Sequence, residues 1–304
     1  MDSSQFQATT HSGYLYVLSI AIGVFGDLCT EQPSAAGTFL AMITAVSQRT
    51  FTLVAAGRAA MVEHPDVVDD YYRMVVQVGS ALRLFHRVRS AAALGSSRAY
   101  HLRPPTSLVS LPAQVIVSMP TLLVSASSAP LLNSAVQCAL CALTFQHREA
   151  NRTVLRFLDK LFAIALPAGV ANPRPGARQA EMLPTLQALF GAVGEQVVAA
   201  LIAGAGGVLH ITHVAEDKGC IADTLRVMLL LGRSESGNNV LRSSVVLALD
   251  AANSKGHLLD GGKAAFLRDL FSLDAGCPTW RWRRVMSDLA AGLQPHFKDQ
   301  GRGR

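Results

Sequence analysis

Residues Gln146–Phe162 read QHREANRTVLRFLDKLF, and their spacing decides the fold class. At 100° per residue, Val154, Leu155, Phe157, Leu158, Leu161 and Phe162 share one arc. Arg148, Glu149, Arg152, Arg156, Asp159 and Lys160 fill the opposite arc, so the stretch reads as a helix with one packed and one wet face. Asn151 falls on the packed side, where its amide needs a backbone partner, since an unpaired buried amide costs ~1–3 kcal/mol. Arg148, Arg152 and Arg156 stand at steps of four, a row of guanidinium forks suited to phosphate or carboxylate. Glu149 and Asp159 interrupt that row, which makes a solvated, mixed-charge face the plainer reading.

The same spacing recurs along nearly the whole chain, while strand-like alternation bounded by turn pairs is almost absent. Helices are expected near 12–29, 35–57, 65–88, 107–126, 129–146, 149–166, 178–203, 218–232, 237–252, 262–273 and 279–292. Glu31-Gln-Pro-Ser34, Arg103-Pro-Pro105, Asn172-Pro-Arg-Pro-Gly176, Lys255-Gly256 and Gly261-Gly262 carry the turn chemistry between them. Short links and broad apolar stripes favour an all-α fold of stacked antiparallel helix pairs, a HEAT-repeat α-solenoid, over one compact bundle. At roughly 40–47 residues per pair, about six pairs fit the chain. The expected organisation is a disordered lead over 1–11, a solenoid over 12–293 and a polar tail over 294–304. A loop insertion near 88–106 and a linker near 167–177 interrupt the solenoid.

Composition limits the alternatives. Half of the 304 residues are hydrophobic, 16% are charged and mean hydropathy is +0.30. The most lipid-like runs, Tyr14–Phe25 and Val197–Ile211, fall short of the roughly 20 residues a spanning helix needs, so no membrane span is expected. Five scattered cysteines fit buried thiols better than a disulfide framework. A net charge of +6 permits an acidic or phosphorylated partner without requiring one.

In HPDVVDDYYRM, Pro65 suits a first helical position, and Asp66, Asp69 and Asp70 complement the positive helix end. Val67, Val68, Tyr71, Met74, Val75, Val78, Ala81, Leu82 and Phe85 then share a packing face. That accounts for the segment without a metal site at His64 and the aspartates.

Other constellations are equally incomplete. Cys138-Ala-Leu-Cys141 lacks the second ligand pair that zinc requires, and His210 with His213 lacks a third partner. Gly204–Gly207 and Gly256 with Gly261-Gly262-Lys263 miss the dinucleotide and phosphate-loop spacings and read as turns. Trp280-Arg-Trp-Arg-Arg284 mixes aromatic and basic residues; tryptophans on the core with arginines in water is the favoured reading over nucleic-acid contact. No nucleophile elbow or acid–base carboxylate pair is recognisable. Binding rather than catalysis is expected, with no catalytic residue, cofactor or metal.

HSGYLYVLSIAIGVFGD, HPDVVDDYYRM and QHREANRTVLRFLDKL, in that order, resemble the C-terminal region of nuclear transport receptors of the transportin-3/importin-13 type. The match is good over 12–29, 61–86 and 145–165 and weaker from about 178 onward, with Ser90–Pro105 standing as an insertion. This importin-β superfamily builds HEAT-repeat superhelices that carry protein cargo, and the resemblance implies import into the nucleus by a receptor shuttling between nucleus and cytoplasm. It implies phosphorylated Ser-Arg-rich splicing factors as cargo; Ran-GTP and nucleoporins would act on the full-length receptor. The part resembled lies after the Ran-binding repeats and after the family's arginine-rich cargo helix, so a fragment is expected. Its opened end would expose an apolar face on the helix at 12–29 and self-associate. Arg148, Arg152 and Arg156 are the expected cargo contacts. The alternative is a HEAT-repeat scaffold in a stable assembly with no transport role.

Overall fold

The computed structural model describes residues 3–25, 32–54, 58–77, 124–144, 147–166, 179–205, 215–234, 238–254 and 261–291. These form eleven helices: α1 (Ser3–Phe25), α2 (Pro33–Leu53), α3 (Arg58–Glu63), α4 (Pro65–Gln77), α5 (Ala129–Ala142), α6 (Arg148–Ala163), α7 (Gln179–Ala205), α8 (Ala215–Leu231), α9 (Arg242–Ser254), α10 (Gly262–Phe271) and α11 (Thr279–Ala291). Among the described residues the only β element is an isolated bridge between Arg233 and Asn239. The all-α reading therefore stands.

Local chemistry starts several helices where the breaks were expected. Gln32 is extended, and Pro33 opens α2, where its missing N–H forfeits no bond. Pro130 plays the same part in the first turn of α5, behind a buried Ser128. Gly261 takes φ 78° at the start of α10, a left-handed backbone that glycine adopts without a Cβ penalty.

The helices pack in two rows. α1, α4, α6, α8 and α11 follow one another in the first, and α2, α5, α7, α9 and α10 in the second. Contacts between α2 and α4, α5 and α6, α7 and α8, and α10 and α11 join the rows. Between them runs a continuous apolar core. Its aromatic part is a column from α2 through α4 to α6. Phe51 meets Tyr71 at 5.5 Å between ring centroids, Tyr71 meets Tyr72 at 5.1 Å, and Tyr72 meets Phe157 at 5.2 Å. Tyr71, Tyr72 and Phe157 are fully buried, and each contributes ~1.5–3 kcal/mol by leaving water, while Phe51 is only partly covered.

Three expectations are corrected. α1 begins at Ser3, not at 12, so the lead expected to be disordered is helical from Ser3 onward. Its polar composition hid tertiary anchors: Ala8 is buried, and His11 Nε2 lies 2.8 Å from Thr50 Oγ1 of α2. Second, α4 is not buried on one face alone. Tyr72 and Val76 are as enclosed as Tyr71, because α1, α2, α3 and α6 surround the helix. Third, the apolar runs at 14–25 and 197–211 were not the longest lipid-like helix. Ala180–Ala205 of α7 is long and apolar enough to cross a membrane by length and composition; an 18-residue window within it has mean hydropathy 1.7 and is half buried. Its neighbours in the fold are α5, α8, α9 and α11.

The expected insertion at 88–106, the linker at 167–177 and the tail at 294–304 lie outside the described residues, as does the expected helix 107–126 up to residue 123.

Candidate functional site

α6 sits in the first row between α4 and α8 and rests on α5. His147 is extended and caps the helix, its Nδ1 accepting the Ala150 N–H at 3.2 Å. Glu149 in the first turn and Lys160 in the last complement the helix dipole. The expected packed arc is buried throughout, Asn151 included.

Buried polar bonds fix the helix on both sides. Thr153 Oγ1 donates to Asp69 Oδ1 of α4 at 2.7 Å, and Arg73 Nη2 meets the other Asp69 oxygen at 2.9 Å. On the opposite flank, Thr224 Oγ1 of α8 lies 3.2 Å from the Leu155 carbonyl and 2.9 Å from that of Cys220. α4 is tied to α1 in a similar way, by Ser12 Oγ donating to Asp70. Asp69 and Asp70 are thus inter-helix acceptors rather than helix-end charges. Asp66, in the first turn, keeps the role expected of all three.

These ties leave the wet arc of α6 only partly open to solvent. Arg148 is exposed, while Arg152 and Arg156 are half-buried next to each other. Burial lowers the pKa of Arg156, and the neighbouring Arg152 charge lowers it further; Glu149 and a hydrogen bond with Cys220 of α8 act in the other direction. The two guanidinium groups repel in a partly dry setting, where an incoming oxyanion would stabilise both.

The charge continues onto neighbouring helices. On α4, burial opposes the Arg73 charge, but the hydrogen-bonded Asp69 with Asp70 and Glu149 holds its pKa above the ordinary value. Burial raises the Asp159 carboxyl against Lys160, with Asp223 adding to the rise and Arg226 opposing it. On α11, Arg283 grips Asp223 of α8 through two bonds, Nε to Oδ1 at 3.0 Å and Nη2 to Oδ2 at 2.6 Å. The result is a ribbon across α4, α6, α8 and α11 in which positive and negative groups interleave. It offers paired charge rather than an activated nucleophile.

No protein-family model matches this chain. A search of curated proteins found no match either. The resemblance to nuclear transport receptors therefore rests on the quoted segments themselves.

The structure brings Arg148, Arg152 and Arg156 onto one helix face, as their spacing predicts. Asp159, already expected on this arc, joins Arg73, Asp223, Arg226 and Arg283 in completing the surface, and sequence reasoning missed these last four as parts of it. The Asp69–Arg73 spacing of four was a readable signal; the Asp223–Arg283 pair, 60 residues apart, left none.

Cys138 and Cys141 are partly buried in α5, and burial, with Cys141 adding to it and the Tyr72 hydrogen bond opposing it, pushes the Cys138 thiol up to about 11, far from a reactive thiolate. Of the two tryptophans expected on the core, Trp282 is buried, but Trp280 is exposed. The cause is geometric: residues two apart on a helix point to different sides. His210, His213, Gly206 and Gly207 lie outside the described residues.

Proposed function

We propose that this chain is the C-terminal, cargo-binding part of a nuclear import receptor of the transportin-3/importin-13 type, built as a HEAT-repeat solenoid. The observation that carries the reading is the interleaved ribbon on α6 and its neighbours, with Arg148, Arg152 and Arg156 at its centre. A phosphorylated Ser-Arg segment also alternates in sign. Its phosphates suit the Arg152–Arg156 pair, and its arginines suit Glu149, Asp159 and Asp223. The two-row packing of helices supports the repeat architecture, since successive pairs would extend both rows without a new kind of contact. Cargo recognition on this surface is binding by charge and shape. Ran-GTP, nucleoporin contact and shuttling between nucleus and cytoplasm belong to the full-length receptor in this reading.

The test is fluorescence anisotropy with one labelled Ser-Arg repeat peptide in phosphorylated and unphosphorylated forms. Saturable binding of the phosphorylated form, at least about tenfold tighter than the other, is expected from one added set of charge-assisted bonds. Equal affinity for both forms would remove the phosphate from the account and favour a scaffold without this cargo.

A further inference from the structure

At the far end of the rows, a cleft of about 220 Å³ opens beside the C-terminal end of α8 and the turn between α10 and α11. Arg233, Arg242, Asn238 and Trp282 reach it from different elements, over a floor that includes Leu229 and Phe271.

The backbone that positions the two arginines is closely specified. The Val240 N–H donates to the Gly232 carbonyl at 2.9 Å, and the Ser234 N–H donates to that of Asn238 at 2.8 Å. The Asn239 side chain is used fully inside the fold, giving its N–H to the Leu229 carbonyl at 2.7 Å and accepting the Leu241 N–H at 3.0 Å. Gly232 is needed there, because a Cβ would come within 2.8 Å of Asn239 Oδ1. Arg233 and Arg242 leave this turn at fixed points.

Neither arginine meets a carboxylate at ion-pair distance among the described residues. Arg242 lies over the Phe271 ring, 4.7 Å from its centroid, which holds the guanidinium plane without using its N–H groups. Among the described residues Arg233 gives one bond, from Nη1 to the Leu273 carbonyl at 3.3 Å, which leaves it its other donors. Asp274 lies within the electrostatic reach of Arg233, but it is fully exposed and is bonded chiefly to Cys277. Trp282 lines the cleft with part of its ring; it is only 2% exposed, and its indole N–H is buried with no hydrogen-bond partner among the described residues. Two guanidinium groups on different elements therefore meet at one cleft, in which no described carboxylate lies at ion-pair distance.

We infer that this cleft binds an oxyanion carried by a peptide side chain of a partner protein, a carboxylate or a phosphate. The leucine and phenylalanine walls favour an anion on an organic stem over a free ion. The cleft lies away from α6, and the inference does not rest on the cargo reading above.

Trp282 supplies the reporter. Trp280 and Trp282 are the only tryptophans, so Trp280→Phe in the full chain leaves a single one in the cleft wall. The probes are N-acetyl-O-phosphoserine amide, N-acetylglutamate amide, N-acetylglutamine amide and inorganic phosphate. One or both of the first two should change Trp282 emission saturably at millimolar concentration, and whichever binds tighter identifies the source of the oxyanion. Arg242→Gln should weaken that binding by about tenfold or more, and Arg242→Lys by less, because charge remains but the fork is lost. Circular dichroism confirms that both variants fold, and the Lys variant carries the comparison if the Gln variant does not. The inference is overturned if no anionic probe saturates, if the glutamine compound binds equally, or if inorganic phosphate binds as tightly as the side-chain mimics.

Discussion

Thr153→Val removes one hydroxyl and keeps the side-chain volume, so it deletes the bond that holds α6 against α4 together with the contact of the same Oγ1 with the Glu149 carbonyl of its own helix at 2.9 Å. In the parent, Thr153 Oγ1 donates to Asp69 Oδ1 at 2.7 Å in a buried setting, and Thr153 itself is only 6% exposed. A hydrogen bond to an ionised acceptor contributes ~1.5–3 kcal/mol, and here Asp69 keeps Arg73 as its remaining partner at 2.9 Å. The expected loss is therefore about 1.5–3 kcal/mol rather than the larger penalty of a carboxylate left with no partner. In a chain of this size that is a fall in Tm of roughly 3–12 °C if unfolding is cooperative. Urea denaturation at pH 7 measures it, with an unchanged slope showing that the unfolded reference has not moved. Thr153→Ser, which keeps the hydroxyl, should recover most of the loss. A double-mutant cycle with Asp69→Asn should give a coupling of at least about 0.5 kcal/mol. If Thr153→Val stays within about 0.5 kcal/mol of the parent, the tie does not position α6 and the reasoning fails.

Asp159 provides a test with a defined pH sign. Burial raises its folded pKa above the ordinary 3.8, so ionising it costs folding free energy; the favourable contribution exists below the ordinary value and disappears as pH rises through the folded one. Asp159→Asn should accordingly melt higher than the parent at pH 7, with the advantage vanishing near pH 3.8; a lower Tm at pH 7 would show that the Lys160 pair dominates instead. On α1, Tyr14, Tyr16, Val17 and Ile20 are between 50% and 67% exposed, and the isolated chain should self-associate through them. Light scattering should find Tyr16→Arg with Ile20→Arg monomeric, and a monodisperse parent monomer would count against that face. Gly232→Ala should destabilise by about 1–3 kcal/mol because Asn239 must move, whereas parental stability would mean that the turn yields freely.

Amphipathic helices with chemical breaks at their ends were legible from sequence. α6, α10 and α11 begin within one residue of expectation, since a cap, a left-handed glycine and the Pro278 break are local signals. Local signals also placed the three arginines together on α6. What was hidden depends on neighbours. Residues 3–11 look polar and unstructured until His11 is seen against Thr50, and Tyr72 looks peripheral until Ala135 accepts its hydroxyl at 2.7 Å. Asp69 and Asp70 fit a helix-end role equally well on paper; the choice depends on Thr153 and Ser12, which lie 84 and 58 residues away. The site shows the same division. One helix and its charge row could be read, but the half-burial of Arg152 and Arg156 and the interleaving Asp223 of α8 are properties of the packed rows.

The most direct measurement is the affinity of the full chain for the phosphorylated Ser-Arg peptide after Arg148→Glu, Arg152→Glu and Arg156→Glu are combined. Arg148→Gln with Arg156→Gln, checked for folding by circular dichroism, serves as the milder companion. The account predicts at least about a hundredfold loss for the triple variant and about tenfold or more for the companion, with the dependence on phosphorylation abolished in the triple variant. Undiminished, phosphorylation-dependent binding by folded variants would contradict it.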